Sequence, residues 1–369
     1  SEALALLEYA ESNEGFVLYI ASDIKHYDKI NKSLAFFNKS IEILSFASWE
    51  VLAFDHFSPH PDIVSSRLST LAKLSSLESG IIVTTIEALS QRICPRGFID
   101  KYSLSLKNNQ NLEIDSFTEN LIRIGYRRVT TVMEQGEFSL KGALIDMYPM
   151  GAKNPYRIDL FDNEIESIRS FDPSSQRSIE LIEEIQLLPA REFASDKSSI
   201  DIFKKNYVSE FGNTDGFIYT EVSDGRYPGG IEFYLPLFFE TTETLFDFIP
   251  DNSVIAYQKG ISESIDLQTE ELLERFNYCQ NSLERLPLAV NKVFLNSHDF
   301  FAALKKKKQV QIQTSKTLKD GGLDFKSVML PPVKIEAEAK KPLNKLFSFI
   351  NSFNGRTLIV CESEGRQSV

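Results

Sequence analysis

Phe16-Val17-Leu18-Tyr19-Ile20-Ala21 is an uninterrupted apolar run near the start of the sequence. A run this short, apolar at every position and rich in β-branched and aromatic residues, is typical of a strand buried on both faces of a parallel sheet. A second run of the same kind, Gly80-Ile81-Ile82-Val83-Thr84-Thr85, follows further along the chain. The two runs predict a fold built on a parallel sheet.

Helical patterns separate the predicted strands. Apolar residues recur at spacings of three and four in the stretch 24–37, and the stretches 62–77 and 86–93 are also predicted helices. A further short strand is predicted at 41–44, between the first two helices. Strands that alternate with helices indicate a mostly parallel α/β sheet with right-handed crossovers.

The pattern changes after Tyr102. Residues 114–124 resemble one amphipathic helix, and residues 126–189 alternate with period two between turn signals such as Asp162-Asn163. This part predicts an antiparallel α+β domain inserted into the α/β domain, since mixed helix and strand patterns return from 190 to 310.

Residues 305–345 have the composition of a linker, with breaks at Gly321-Gly322 and Pro331-Pro332. A helix at 343–353 and a strand at 357–361 then begin another α/β unit. Because one helix and one strand cannot close a sheet, we expect the sequence to be a fragment of a longer protein.

The composition restricts the class of protein. The 369 residues include 52 acidic and 40 basic side chains, a formal net charge of −12, which argues against a general nucleic-acid binder. The three cysteines, Cys94, Cys279 and Cys361, are far apart, which argues against disulfides and structural zinc. No apolar run approaches the ~18 residues of a membrane span. We therefore expect an acidic cytoplasmic protein with no membrane partner.

The sequence has none of the common catalytic motifs. It has no GxxxxGK[ST] phosphate loop, and no DExH string follows an apolar strand, so we predict no catalytic residue and no cofactor. His56 and His60 lie beside prolines in a predicted loop, which favours capping or packing over metal binding. Cys94 is predicted to be a buried thiol. The run Lys305–Lys308 is either a solvated helix end or, as the less favoured alternative, a DNA contact.

One strand of the inserted domain carries an unusual pair. Alternation along 156–161 places Arg157, Asp159 and Phe161 together on the face that should be polar. Arginine and an aromatic residue on an exposed strand are typical of protein–protein interfaces. Alternatively, Phe161 bends inward at the following turn, and the pattern alone leaves both options open. Lys141-Gly142 supplies a second basic group nearby.

Seven strings, in their order and spacing, resemble the N-terminal, UvrB-like region of the Mfd family, the bacterial transcription-repair coupling factors. They are Trp49–His60, Ser65–Leu68, Gly125–Val129, Val132–Phe138, Arg157–Arg169, Gly230–Tyr234 and Glu362–Arg366. The resemblance runs from about Gly15 to Arg366 and is weaker at 250–330.

The resemblance implies a helicase-like fold of the RecA/P-loop type. Its α/β domain would comprise 1–102 and 190–309, with a UvrA-binding domain inserted at 103–189. A linker at 310–342 would then lead to the start of a third α/β domain at 343–369.

The resemblance also implies a non-catalytic module that binds UvrA and so brings nucleotide excision repair to RNA polymerase stalled at DNA lesions. The family's contact positions fall on Lys141, usually arginine in the family, and on Arg157 and Phe161. Polymerase and DNA binding, an ATP- and Mg²⁺-dependent translocase and a C-terminal domain that covers the UvrA surface would belong to the rest of the full-length protein.

The alternative is a UvrB-like, ATP-dependent enzyme that processes damaged DNA. The chain passes directly from Phe57-Ser58-Pro59 to the helix at Ile63, which leaves no room for the DNA-clamping hairpin of UvrB. The missing DExH string and the negative net charge also count against this alternative, whereas a phosphate loop upstream of Ser1 would favour it.

Overall fold

The structure is a computed structural model that describes residues 2–38, 40–281, 285–313, 333–334 and 341–357. The chain divides into two compact units. Glu2–Thr314 form the first, and Ser1 with Ser315–Val369 forms the second.

The strands are, in chain order, β1 (Phe16–Ala21), β2 (Ile43–Phe46), β3 (Gly80–Thr85), β4 (Leu104–Lys107), β5 (Arg127–Arg128), β6 (Glu137–Lys141), β7 (Leu144–Tyr148), β8 (Tyr156–Phe161), β9 (Glu164–Phe171), β10 (Ser178–Ile182), β11 (Glu184–Leu187), β12 (Val254–Gln258) and β13 (Lys308–Ile312). The α-helices are α1 (Glu2–Glu11), α2 (Ile24–Phe37), α3 (Pro61–Leu74), α4 (Ile86–Ser90), α5 (Arg96–Tyr102), α6 (Ile114–Arg123), α7 (Lys197–Phe211), α8 (Phe217–Ser223), α9 (Leu245–Phe248), α10 (Ile261–Cys279), α11 (Val290–Val293), α12 (Ser297–Lys305) and α13 (Asn344–Ser352). Ile231–Phe238 is a 3₁₀ helix.

A five-stranded sheet in the order β13-β12-β1-β3-β2 forms the centre of the first unit. Each neighbouring pair of strands is parallel. All six residues of β1 and of β3 are buried, as their apolar sequences predict. The prediction of a parallel α/β sheet is therefore confirmed.

Three predicted boundaries differ from the observed ones, and at two of them local hydrogen bonds override the apolar pattern. Strand β2 begins at Ile43 rather than Ile41, since the Asn38 amide hydrogen-bonds both the N–H and the C=O of Ile41. The helix predicted at 62–77 is α3, which ends at Leu74. The helix predicted at 86–93 is α4, which ends at Ser90 because Gln91 and Ile93 form β-bridges.

The inserted domain is built on a six-stranded sheet in the order β10-β9-β8-β7-β6-β5. Its strands pair antiparallel except β5, which runs parallel to β6, so the sheet is mixed rather than purely antiparallel. Helix α6 contributes Phe117 and Leu121 to the same apolar core as Ile158 and Ile168 of the sheet. One face of the sheet is therefore buried against α6.

The inserted domain returns to the α/β domain through a fully buried ion pair. Arg67 of α3 donates from Nε to the Glu192 carboxylate at 2.5 Å, and from Nη1 to the carbonyl of Ala47 and the amide oxygen of Gln91. Glu192 follows β11, whereas Ala47 and Gln91 follow β2 and α4. The arginine thus joins three segments that are distant in sequence.

A second core surrounds the 3₁₀ helix. Trp49, Phe54 and Phe233 pack in it edge-on or tilted, with ring centroids 5.2 to 5.6 Å apart. Gly230 has a φ of +79°, and a Cβ there would lie 2.2 Å from the carbonyl oxygen of Asp55. Only glycine fits this approach, which holds the loop after Phe54 against the 3₁₀ helix.

Helix α13 is the described element of the second unit and matches the helix predicted at 343–353. Of the strand predicted at 357–361, the structure describes only the first residue. Other features of the sequence also lie outside the described residues: Gly321-Gly322, Pro331-Pro332, Cys361 and the string Glu362–Arg366. Most of the predicted linker, 310–342, also lies outside them, and residues 310–312 belong to β13. The domain boundaries taken from the sequence stay a prediction.

Candidate protein-interaction site

Strand β8 presents its alternate residues to opposite faces of the six-stranded sheet. Ile158 and Leu160 are buried in the core, whereas the side chain of Phe161 is 71% exposed. The face that carries Arg157, Asp159 and Phe161 is called the outer face below. Of the two alternatives for Phe161, the inward one is wrong, because Asp162 adopts a left-handed φ of +53° and turns the chain while Phe161 stays exposed.

Arg157 is held in place by a carboxylate on the neighbouring strand. The register pairs Arg157 with Asp146 of β7, and Nε and Nη2 donate to the two carboxylate oxygens at 2.7 and 3.0 Å. Nη1 donates to the carbonyl of Gln176 at 3.3 Å, and the guanidinium lies 4.9 Å from the ring centre of Phe171. The hydrogen bonds to Asp146 raise the pKa of Arg157 above its ordinary value.

The Asp146 side chain is 3% exposed, so its pairing with Arg157 is shielded from water on one side. The sequence pattern contains a signal for this partner, because Asp146 lies between the buried residues Ile145 and Met147 and must point to the opposite face. Without the register of β7 against β8, that signal does not identify Arg157 as the partner.

A second ion pair runs diagonally between β8 and β9. Arg169 of β9 donates to the carboxylate of Asp159, which also accepts from the hydroxyl of Ser167 at 3.0 Å. Both charged side chains are partly exposed. The outer face therefore carries two adjacent arginine–carboxylate pairs, and sequence reasoning missed Asp146 and Arg169 as members of it.

Lys141 ends β6 at the same face. The register aligns it with Leu144 of β7, and Leu144 with Asp159 of β8, which places Lys141 two strands, or about 10 Å, from Asp159. Its side chain is exposed, and it forms no ion pair with any other described residue. The structure thus brings Lys141, Arg157 and Phe161 to one face of one sheet.

The other candidate residues make hydrogen bonds that stabilise the fold. Lys307 of the lysine run donates to the carbonyls of Ile249 and Pro250 and to Asp251. His60 caps α3, where its Nδ1 accepts from the N–H of Asp62 at 3.3 Å. In the described part of the chain, no group of three or more His, Cys, Asp or Glu side chains could hold a metal ion.

Cys94 is fully buried, and burial raises the pKa of its thiol well above the ordinary value. A thiol that stays protonated is a poor nucleophile, which agrees with the prediction of a buried structural cysteine. The helices that the structure describes do not combine the length and apolar character needed to cross a bilayer.

Comparison with known proteins adds two findings. Residues 104–193, which include the outer face, match the family described as the UvrB interaction domain. The chain is 36% identical over 369 residues to the transcription-repair-coupling factor of Escherichia coli K12, covering 99% of the chain and 32% of that relative. The corresponding factor of Haemophilus influenzae is 34% identical, and the alignment covers 100% of the chain and 32% of that relative. The factor of Staphylococcus aureus MRSA252 is 25% identical, and the alignment covers 79% of the chain and 26% of that relative. The chain spans about a third of the length of the first two relatives.

Proposed function

The chain belongs to the transcription-repair-coupling factor family, corresponding to its N-terminal part, and we propose that it is the module through which such a factor recruits UvrA. In this proposal the module itself is non-catalytic and acts in the bacterial cytoplasm. It brings nucleotide excision repair to RNA polymerase stalled at a DNA lesion.

The observation that carries the proposal is the exposed ring of Phe161 beside ordered charges on the outer face. The ring of Phe161 is 71% exposed, and exposed aromatic and arginine side chains are enriched at protein–protein interfaces. Interface hot spots combine aromatic anchors with arginine and cluster on well-ordered surfaces. Phe161 would fill an apolar pocket of UvrA, and the domain match at 104–193 supports this surface as the contact region.

Arg157 would act as an oriented donor rather than as a free cation. A guanidinium has five N–H donors in a fixed plane, and the contacts to Asp146 and Gln176 use three of them. The remaining two are available to acceptors of UvrA, in an orientation that Asp146 fixes. Such preorganisation reduces the entropy lost on binding.

Lys141 would contribute attraction at longer range. Lysine keeps the positive charge of the arginine usual at this family position, but it lacks the planar fork that binds a carboxylate with two hydrogen bonds. We therefore expect Lys141 to increase the association rate more than it slows dissociation.

We propose three further features for the full-length protein. They are polymerase binding, DNA translocation with ATP and Mg²⁺, and a C-terminal domain that covers the outer face before polymerase is engaged. About two thirds of the relatives' length lies outside this chain, and these activities would reside there.

Titration calorimetry with purified UvrA tests the proposal. Phe161→Ala should weaken binding by ~2 kcal/mol or more, about 30-fold in Kd, because the variant loses the apolar anchor. Phe57→Ala is the matched control, since Phe57 is 70% exposed but lies in the α/β domain. Absence of binding by the unmodified chain, or equal effects of the two variants, would overturn the proposal.

A further inference from the structure

Leu181 of β10 is an exposed apolar side chain on the same outer face. The register pairs Leu181 with Arg169 and Arg169 with Arg157, so the three lie in one row across neighbouring strands. The next residue, Ile182, pairs with Ile168 and packs against the core, which confirms that Leu181 points the other way. Leu181 therefore lies about 10 Å from Arg157, two strands away.

The exposure of Leu181 is unusual for this molecule. Its side chain is 74% exposed, and among the large apolar side chains of the described residues only Tyr278 is more exposed. Phe161 is 71% exposed and ends β8, further along the strand that carries Arg157 and Asp159. The Asp159–Arg169 pair therefore lies between the two apolar groups, and the Asp146–Arg157 pair lies beside it.

The strand edge beside Leu181 is poorly suited to pairing with another strand. The register of β10 against β9 shifts between Ser178 and Leu181, and the exposed carboxylates of Glu180 and Glu183 lie on either side of Leu181. Bulges and charges of this kind hinder the addition of a further strand. The face of the sheet, rather than its edge, is then the surface on which Leu181 can be covered.

We propose that Leu181 is a second apolar anchor for UvrA, placed across Arg169 from Arg157. This inference rests on the proposed function and extends the UvrA surface from β8 to the edge strand β10. UvrA would then contact the outer face at both apolar groups, with the Asp159–Arg169 pair between them. Because Leu181 and Phe161 are well separated, their contributions to binding should add.

Calorimetry with purified UvrA and the whole 369-residue chain tests this inference. Leu181→Ala should raise Kd about five- to tenfold, and Leu181→Ala combined with Phe161→Ala should multiply the two single effects. Leu267→Ala is the matched control, because Leu267 is 60% exposed on α10 of the α/β domain. Thermal melting of each variant checks that the fold is retained, as expected for an exposed leucine.

The possible outcomes separate the two proposals. If the unmodified chain binds UvrA and Phe161→Ala weakens binding, while Leu181→Ala behaves like Leu267→Ala, the second anchor is overturned and the proposed function stands. If the unmodified chain does not bind, both fail. Sedimentation provides a further check: a dimer that Leu181→Ala dissociates would assign Leu181 to self-association and overturn the inference.

Discussion

Arg157 and Asp146 face each other on neighbouring strands, and their pairing determines what the arginine can offer a partner. The Asp146 side chain is almost fully buried, whereas the Arg157 side chain stays 21% exposed. A charge-assisted pair with two hydrogen bonds is stronger than a neutral one and has a defined geometry. The outer face is therefore ordered before any partner arrives.

Asp146→Asn tests this ordering. The amide keeps the shape but removes the charge, so we expect a loss of ~1–3 kcal/mol in the free energy of unfolding and weaker UvrA binding. Urea unfolding measures the first effect and calorimetry the second. Asp159→Asn is the control, because its pair with Arg169 is more exposed and should contribute less than about 1 kcal/mol. Equal losses of stability in the two variants would contradict the argument.

The sequence predicts one half of the outer face well. Alternation along β8 is a local property, so it places Arg157 and Phe161 on one face without knowledge of any other strand. The partners Asp146 and Arg169 depend on the registers of β7 and β9 against β8. Those registers are set by turns and by packing on the common core, which a single strand pattern does not contain.

At the scale of elements, predictions succeed where local chemistry and the apolar pattern agree. Helix α2 begins and ends as predicted, since the Asp23 side chain caps it by accepting from the N–H of His26 at 2.9 Å. The apolar run 231–239 has no clear period, and it forms a 3₁₀ helix inside an aromatic core. Strand β5 has two residues, too few to reveal that it pairs in parallel.

Helix α7 depends on a cap that also contacts α5. The Asp196 carboxylate accepts from the N–H of Ser199 at 2.8 Å and from the hydroxyl of Tyr102, the last residue of α5. Burial by itself raises the pKa of Asp196, but the hydrogen bonds from Tyr102 and Ser199 outweigh it and lower the pKa to about 2. The ionised carboxylate therefore links the helices before and after the inserted domain.

Asp196→Asn should make the free energy of unfolding depend less on pH in the acidic range. An aspartate with a folded pKa of about 2 and an unfolded pKa of ~3.9 stabilises the fold above the unfolded value. That contribution is lost as the pH falls through the folded value. We expect the variant to be less stable than the unmodified chain at pH 6, with the difference shrinking from about pH 4 downwards. Urea unfolding at a series of pH values measures it.

Asparagine caps helices about as well as aspartate, so the comparison isolates the charge. Asp201→Asn, which replaces an exposed carboxylate of the same helix, is the control. A stability difference for Asp196→Asn that stays constant from pH 6 to pH 3 would show that the charge has no role.

At the scale of the whole molecule, the position of the inserted domain depends on the contact between Arg67 and Glu192. The side chains are 0% and 3% exposed, and the guanidinium also lies 4.2 Å from the ring centre of Phe46. Trp49, the one tryptophan of the sequence, donates to the same carboxylate at 3.5 Å. Its fluorescence therefore reports directly on this junction.

Arg67→Met should lower the free energy of unfolding by ~3–5 kcal/mol, because it leaves the buried Glu192 carboxylate without its partner. Replacing both residues, Arg67→Met with Glu192→Leu, should recover most of that loss, since an apolar pair avoids the cost of removing two charges from water. Urea unfolding followed by Trp49 fluorescence and by circular dichroism measures both variants. A double variant as unstable as the single one would show that the hydrogen bonds to Ala47 and Gln91, rather than the buried charges, determine the stability of the junction. The fluorescence and circular dichroism transitions can also be compared. If they coincide in the unmodified chain and separate in Arg67→Met, the Arg67–Glu192 ion pair also couples the unfolding of the two sheet domains.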